Sequence, residues 1–230
     1  MKRPEVWSRA WWEQSGLTAM LASLALALFV GGPIGAVRGT GQILFDIFFS
    51  LFLVSGVVAF SHNRGLAMVV AVAGIASLVA RWDRYGGPLG LSAQQEGWFS
   101  IATLVILTFL VLQHVFRDGP ITADRVRGAI LAYLLLGLVW AFAYELVELT
   151  HPGAILMGGQ LLRDVVPTHT FGYFSFVTLT TLGYGDIVPV HPIARSLALA
   201  EALVGQLYPA ILIGRLVSLQ IASRRQGGEK

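Results

Sequence analysis

The sequence predicts an all-α integral membrane protein with six membrane-spanning helices and a re-entrant half-helix and loop between the fifth and sixth. Three observations carry that reading. Hydrophobic residues make up 55% of the 230 positions and charged residues only 13%, too few to solvate a water-exposed domain of this size. The apolar residues gather into runs near the length of about 20 residues that a bilayer core requires. Between the last two runs lies a Gly-rich stretch, residues 178–189, at membrane depth. Irregular backbone is tolerated there only where it is buried in protein or lines a watery path.

Composition narrows the function classes. The chain has no cysteine, so it has neither a disulfide framework nor a thiolate metal site. A formal charge of +3, carried mostly in short loops, suits anionic lipid head groups and not nucleic acid, which needs a concentrated basic face. No cleavable signal peptide, internal repeat or low-complexity linker stands out.

Taken in order, residues 1–15 intersperse Lys2, Arg3 and Arg9 with Trp7, Trp11 and Trp12, the pattern of a short interfacial helix. Residues 16–116 form a peripheral domain with spans at 16–37, 42–60, 65–80 and 97–116, the third being the shortest and richest in Gly and Ala. Gly31-Gly32-Pro33 is expected to fray or kink the outer end of the first span. In the linker 117–127, Gly119-Pro120 breaks the fourth helix, Thr122 caps the fifth and Asp124 lies in its first turn. The domain 128–223 follows: a helix to residue 149, a Gly/Pro-rich turret at 151–168, a half-length helix at 169–181, a loop at 181–185 and a helix at 192–223 opened by Pro192, with a tail at 224–230.

Orientation follows from the short-loop cations. With the N-terminus inside, Lys2, Arg3, Arg9, Arg64, Arg117, Arg125, Arg127, Arg215, Arg224, Arg225 and Lys230 are cytoplasmic. Arg38, Arg81, Arg84, Arg163 and Arg195 are outside, a bias of eleven to five. Both termini are thus expected in the cytoplasm of a multi-pass cell-membrane protein, with the 178–189 loop dipping in from outside.

That loop reads Thr-Leu-Thr-Thr-Leu-Gly-Tyr-Gly-Asp-Ile-Val-Pro. Thr181-Leu182-Gly183-Tyr184-Gly185 resembles the potassium-channel selectivity filter, with Leu182 where the commonest version has Val, and Thr178 to Asp186 follows that family's wider signature. The resemblance covers about residues 131–219 and is closest to small prokaryotic six-span channels. It implies K+ ligands at the carbonyls of Thr181, Leu182, Gly183 and Tyr184 and the hydroxyl of Thr181, with Gly183 and Gly185 supplying backbone angles closed to other residues. One loop gives a quarter of each oxygen ring, so it implies a homotetramer of fourfold cyclic symmetry. K+ is then a permeant ion, and no cofactor and no catalysis are implied.

The half-helix points its C-terminal dipole end at the pore centre and favours a cation there. Filter support falls to Asp186, Tyr173, Val177 and Thr180. Here the chain departs from the family: Tyr173 and Phe174 replace the common tandem tryptophans, Val177 replaces an acid found in some members, and only Tyr173 keeps a polar group for Asp186.

In the last helix, Gly205 and Pro209 read equally as a gating hinge or as close packing. Gln206 is a candidate for the water-filled cavity beneath the filter. Among the intramembrane acids, Asp46 and Glu148 lie near outer helix ends within reach of head groups. Glu145 and Glu201 lie deeper and suit hydrogen bonding behind the filter, with Arg195 a possible partner for an outer acid. The fourth span carries no Lys or Arg across 97–116, only His114 and Arg117 at its inner end, so steep voltage gating is not expected. His151, His169 and His191 cluster toward the outer mouth as loop residues, without metal-ligand spacing.

Three rivals remain. Gly183-x-Gly185-Asp186 also fits the Gly-x-Gly-Asp of intramembrane aspartyl proteases, with Asp46 as second carboxylate, but that chemistry needs both acids at one depth and has no use for the threonines. A non-selective cation channel favours an acid in place of Tyr184. A non-conducting regulatory subunit is compatible with the same sequence.

Overall fold

The computed structural model describes residues 5–31, 41–61, 64–117, 122–162 and 168–227, with side chains described outside 5–15, 41–42 and 220–227. Seven α-helices follow in order: α1 (Glu5–Leu26), continued by a π-helical turn at Ala27–Gly31, α2 (Gly41–Ala59), α3 (Arg64–Asp83), α4 (Ala93–Phe116), α5 (Ala123–Thr150), α6 (Thr168–Leu179) and α7 (Pro192–Gly227). Three short strands, β1 (Ile155–Met157), β2 (Gln160–Leu161) and β3 (Ile187–Pro189), complete the described elements.

By length and apolar composition α3, α4, α5 and the Pro192–Leu219 part of α7 can each cross a membrane, and the chain is an integral membrane protein. The apolar parts of the first two helices, Gly16–Gly31 and Ile43–Ala59, are shorter. The third segment, expected to be short, is a helix of 20 residues that runs past residue 80 to Asp83, and its last turn sets Arg81 against Asp46 inside the protein. Nor is the N-terminal segment a separate helix, since α1 runs without a break from Glu5 through Gly16. Gly16 lets α1 approach Ala59 so closely that a Cβ would press on the Ala59 backbone. Of the predicted kink at Gly31-Gly32-Pro33 only Gly31 is among the described residues, where it closes a π-helical turn, Ala27–Gly31. The Gly119-Pro120 break also lies outside them.

Local signals set several boundaries. Ser92 and Gln95 form a reciprocal capping box at the start of α4. The Thr122 hydroxyl accepts from the Arg125 N–H and starts α5 where the sequence places it. Pro192 opens α7, which then continues through Pro209 to Gly227, past the expected end at 223.

The main core unites α1, α2, α4 and α5 through Met20, Leu24, Phe49, Phe52, Leu104, Leu107, Leu131 and Leu135, and reaches α7 at Tyr208. Buried within the peripheral helices is an ionic cluster. Arg81 on α3 donates to Asp46 on α2 at 2.5 Å, lies 3.4 Å from Glu96 on α4, and stacks its guanidinium over Phe49 at 4.6 Å. Arg84 pairs with Glu96 on its solvent side, and the Tyr85 hydroxyl donates to the second Asp46 oxygen at 2.7 Å. Burial first, and this bond second, push the Tyr85 phenol up to about 12. Asp46 therefore does not reach the head groups expected of it; every oxygen is spent inside the protein.

The turret is not a plain loop. β1 pairs antiparallel with β2 and with β3, in register Ile155↔Pro189, Leu156↔Val188 and Met157↔Ile187. Glu148 also stays inside: its two oxygens accept from the Gly153 and Ile155 N–H groups at 2.7 and 2.9 Å and fix the turn into β1. The segment leaving residue 186 is thereby tied to the end of α5.

Candidate functional site

The site begins with a helix too short to span. The 12 residues of α6 extend about 18 Å at 1.5 Å each, roughly half a bilayer core of about 30 Å. Its N-terminus is held by Thr168, whose hydroxyl donates to Glu145 on α5 at 3.1 Å. Midway, Ser175 meets the Gly137 carbonyl of α5 and Glu201 of α7. At the C-terminus the Tyr133 hydroxyl donates to the Leu179 carbonyl at 3.4 Å.

The helix ends at Leu179, two residues earlier than its predicted end, and Thr180 and Thr181 form the turn out of it. The reason is backbone angle. Thr181 has φ of 59°, Gly183 of 57° and Gly185 of 78°, whereas Leu182 and Tyr184 keep negative φ. A β-branched residue at positive φ is a genuine outlier and costs on the order of 1–3 kcal/mol. Alternation of left- and right-handed angles gathers N–H groups on one side of a strand. In trans peptides the carbonyls then gather on the other.

The N–H groups confirm which side is which. Those of Leu182 and Gly183 both turn back to the Val177 carbonyl, at 2.9 and 3.3 Å, and that of Thr181 to Thr178 at 2.9 Å. The carbonyls of Thr181 and Leu182, each antiparallel to the following N–H, face away from α6. Val177, named among the supports, meets this segment through its backbone oxygen. The row of outward carbonyls bears no fixed charge and offers a cation an oxygen shell that it can also leave.

Both ends of the segment are tied. At the inner end the Gln206 amide of α7 donates to the Thr181 hydroxyl at 2.9 Å. At the outer end Asp186 accepts from the Tyr173 hydroxyl at 2.8 Å, and its carbonyl accepts from the Gly158 N–H at 2.8 Å. Thr180 returns its hydroxyl to the Phe176 carbonyl at 2.6 Å. Along the segment the side chains lie bare: Leu182 is 60% and Tyr184 68% exposed. An apolar cavity of about 530 Å³ beside Thr180 and Leu182, bounded by Leu28, Phe45, Leu134 and Phe176, is left open by the chain itself.

Gly205 lies against the C-terminus of α6. A Cβ there would fall inside the Leu179 carbonyl oxygen, so the close approach of α7 to the half-helix requires glycine. One turn earlier Glu201 is fully buried against Ser175 and Tyr144. Arg195, expected near an outer acid, instead donates to the Pro189 carbonyl at 3.2 Å and forms no ion pair among the described residues. His151 and His191 stand ring against ring with centroids 4.5 Å apart, while His169 lies on α6. The acids of the protease alternative are not brought together. Asp46 is held by Arg81 and Tyr85, and Asp186 by Tyr173.

Sequence reasoning missed the turret sheet and the partners of Asp46 and Glu201. A signal for the latter existed, since Glu201 and Gly205, and Ser175 and Leu179, are each spaced four apart and so share one helix face.

Residues 129–220 match the family described as ion channel. That stretch is about two fifths of the chain. It contains α5 from its second turn, the turret, α6, the carbonyl segment and α7 through residue 220. The chain is similar to the two pore potassium channel c of Oryza sativa subsp. japonica, 33% identical over 90 residues that make up 38% of this chain and 19% of that protein. It is similar to a voltage-gated potassium channel of Aeropyrum pernix, 31% identical over 102 residues, 42% of this chain and 30% of that one. An inward rectifier potassium channel of Paramagnetospirillum magnetotacticum is 32% identical over 125 residues, 53% and 34% of the two chains. The match thus spans from 19% to 34% of the length of these relatives. The family is one of channels and not of enzymes.

Proposed function

We propose that the chain is a potassium-selective channel that passes K+ passively, as a fourfold homotetramer of six-span subunits in the cell membrane with both termini cytoplasmic. The observation that carries this is the alternation of φ through Thr181, Gly183 and Gly185, with the Leu182 and Gly183 N–H groups turned back onto Val177. This geometry supports reading the carbonyls of Thr181, Leu182, Gly183 and Tyr184, with the Thr181 hydroxyl, as the uncharged K+ ligands. No cofactor is required; the permeant ion is the ligand.

Assembly is supported by what one subunit leaves uncovered. The span of α7 has 17% of its residues buried against 56% for α5, and Leu182 and Tyr184 are bare. Four copies about one axis cover the filter and complete its oxygen rings. Membrane lipids meet the remaining apolar faces. Steep voltage dependence is not expected: α4 carries no Lys or Arg, and Arg81 is locked to Asp46 and Glu96. In this reading Gly205 acts first as a packing contact, and Gln206 lines the top of the cavity.

Proteoliposome flux tests the proposal. Purified protein should carry K+ or Rb+ and not Na+, with block by barium, and Thr181→Cys should lower the flux and weaken the block because the innermost oxygen ring is lost. Equal Na+ and K+ flux contradicts selectivity. An intact tetramer without flux identifies a non-conducting subunit. Unchanged barium block in Thr181→Cys removes that hydroxyl from the site.

A further inference from the structure

Behind the filter three helices meet at one carboxyl group. Glu201 of α7 is fully buried, and none of the ion pairs among the described residues includes it. Its Oε2 lies 2.6 Å from the Tyr144 hydroxyl of α5, and its Oε1 lies 2.5 Å from the Ser175 hydroxyl of α6. The same Ser175 oxygen lies 2.6 Å from the Gly137 carbonyl oxygen of α5.

Counting protons decides the charge. A serine hydroxyl has one proton, and a carbonyl oxygen has none. If Ser175 donated to an ionised Glu201, its contact with Gly137 would set two acceptors 2.6 Å apart with no hydrogen between them. If Ser175 donates to Gly137, the contact with Glu201 needs a proton from Glu201 itself. Only the second arrangement satisfies every contact. Tyr144 donates to Oε2, Glu201 donates from Oε1 to Ser175, and Ser175 donates to Gly137. An ionised carboxylate here would also be a bare charge in the membrane interior, faced by the titratable Tyr144 and Tyr133 from α5 and by the Ser175 hydroxyl from α6, with no cation paired to it among the described residues.

We propose that Glu201 is held as a neutral carboxylic acid, and that its relay through Ser175 to the Gly137 carbonyl makes it a positioning residue for α6. The relay joins inner, half-length and outer helices at one depth. Gly205, one turn along α7, brings the same face against Leu179. Its two contact points, Ser175 and Leu179, flank Val177, whose carbonyl receives the Leu182 and Gly183 N–H groups. Displacing α6 at Ser175 therefore moves the acceptor on which the carbonyl row is built. That consequence for ion selectivity rests on the channel reading; the protonation state does not.

Infrared difference spectroscopy on the full chain in lipid, wild type against Glu201→Gln at neutral pH, reads the proton directly. The wild type should show a carboxylic-acid C=O stretch, sensitive to deuterium exchange, that the variant lacks. In Ser175→Ala the same band should shift to higher frequency as its hydrogen bond is lost. Loss of a carboxylate band in Glu201→Gln, with no carboxylic-acid band lost, overturns the proposal. Function supplies the second arm. Glu201→Gln keeps an acceptor for Tyr144 and a donor for Ser175, so its K+ to Na+ permeability ratio should stay within about twofold of wild type. Glu201→Leu and Ser175→Ala should lower it by about tenfold, as loss of a buried hydrogen-bond partner does. A Glu201→Gln ratio as low as that of Glu201→Leu overturns the relay. If wild type passes no ions, the channel reading fails alone and the infrared arm still decides the proton.

Discussion

At the residue scale the backbone angles of three positions, Thr181, Gly183 and Gly185, distinguish the proposed filter segment from a loop. Gly183 has φ of 57° and open space around its Cβ position within its own subunit, so Gly183→Ala tests chiefly conformation. The left-handed region costs an L-residue about 1–2 kcal/mol, and the expected outcome is a shift of the segment toward ordinary φ with loss of K+ selectivity. Ion flux from assembled tetramers checks it; a variant with wild-type selectivity would remove φ from the argument. Thr181 bears the same strain without a glycine, and its hydroxyl is steadied by Gln206, which the sequence marked only as a cavity residue. The pairing of Tyr173 with Asp186 was legible because one polar group was left in the half-helix to reach that acid. The role of Val177 was not, since a backbone oxygen leaves no mark on residue type.

At the element scale α7 is set against α6 by a glycine and not by a flexible joint alone. Gly205→Ala drives a Cβ into the Leu179 carbonyl and should destabilise the assembled protein by about 1–3 kcal/mol, as overpacking does. Gly214→Ala has nothing within 4 Å and should be neutral or stabilising by up to about 1 kcal/mol. Thermal unfolding in detergent compares the two; equal melting temperatures would return Gly205 to the hinge reading. The length of the apolar runs revealed the helices, and Thr122 and Pro192 the starts of α5 and α7. The turret strands escaped because β1 and β2 have three and two residues, too short for an alternating pattern, and β1 finds its second partner beyond the filter.

At the scale of the whole molecule, the peripheral helices are fastened by buried charge where the sequence suggested surface acids. Arg81 and Asp46 are both fully buried, so the ion pair is read only once α2 and α3 are side by side. Asp46→Asn leaves Arg81 short of a counter-charge and should cost about 3–5 kcal/mol, against a much smaller loss when Arg81→Met accompanies it. Unfolding of the single and double variants checks this; additive losses would deny the coupling. The fourth helix without Lys or Arg and the pair-locked Arg81 leave the peripheral helices as a scaffold for α5, against which α6 is held by Thr168 and Ser175. The account as a whole turns on ion discrimination by the carbonyls of Thr181 to Tyr184. The direct measurement is the reversal potential of purified protein in a planar bilayer with K+ on one side and Na+ on the other. The account predicts a reversal displaced far toward the potassium equilibrium potential, and a reversal near zero would contradict it.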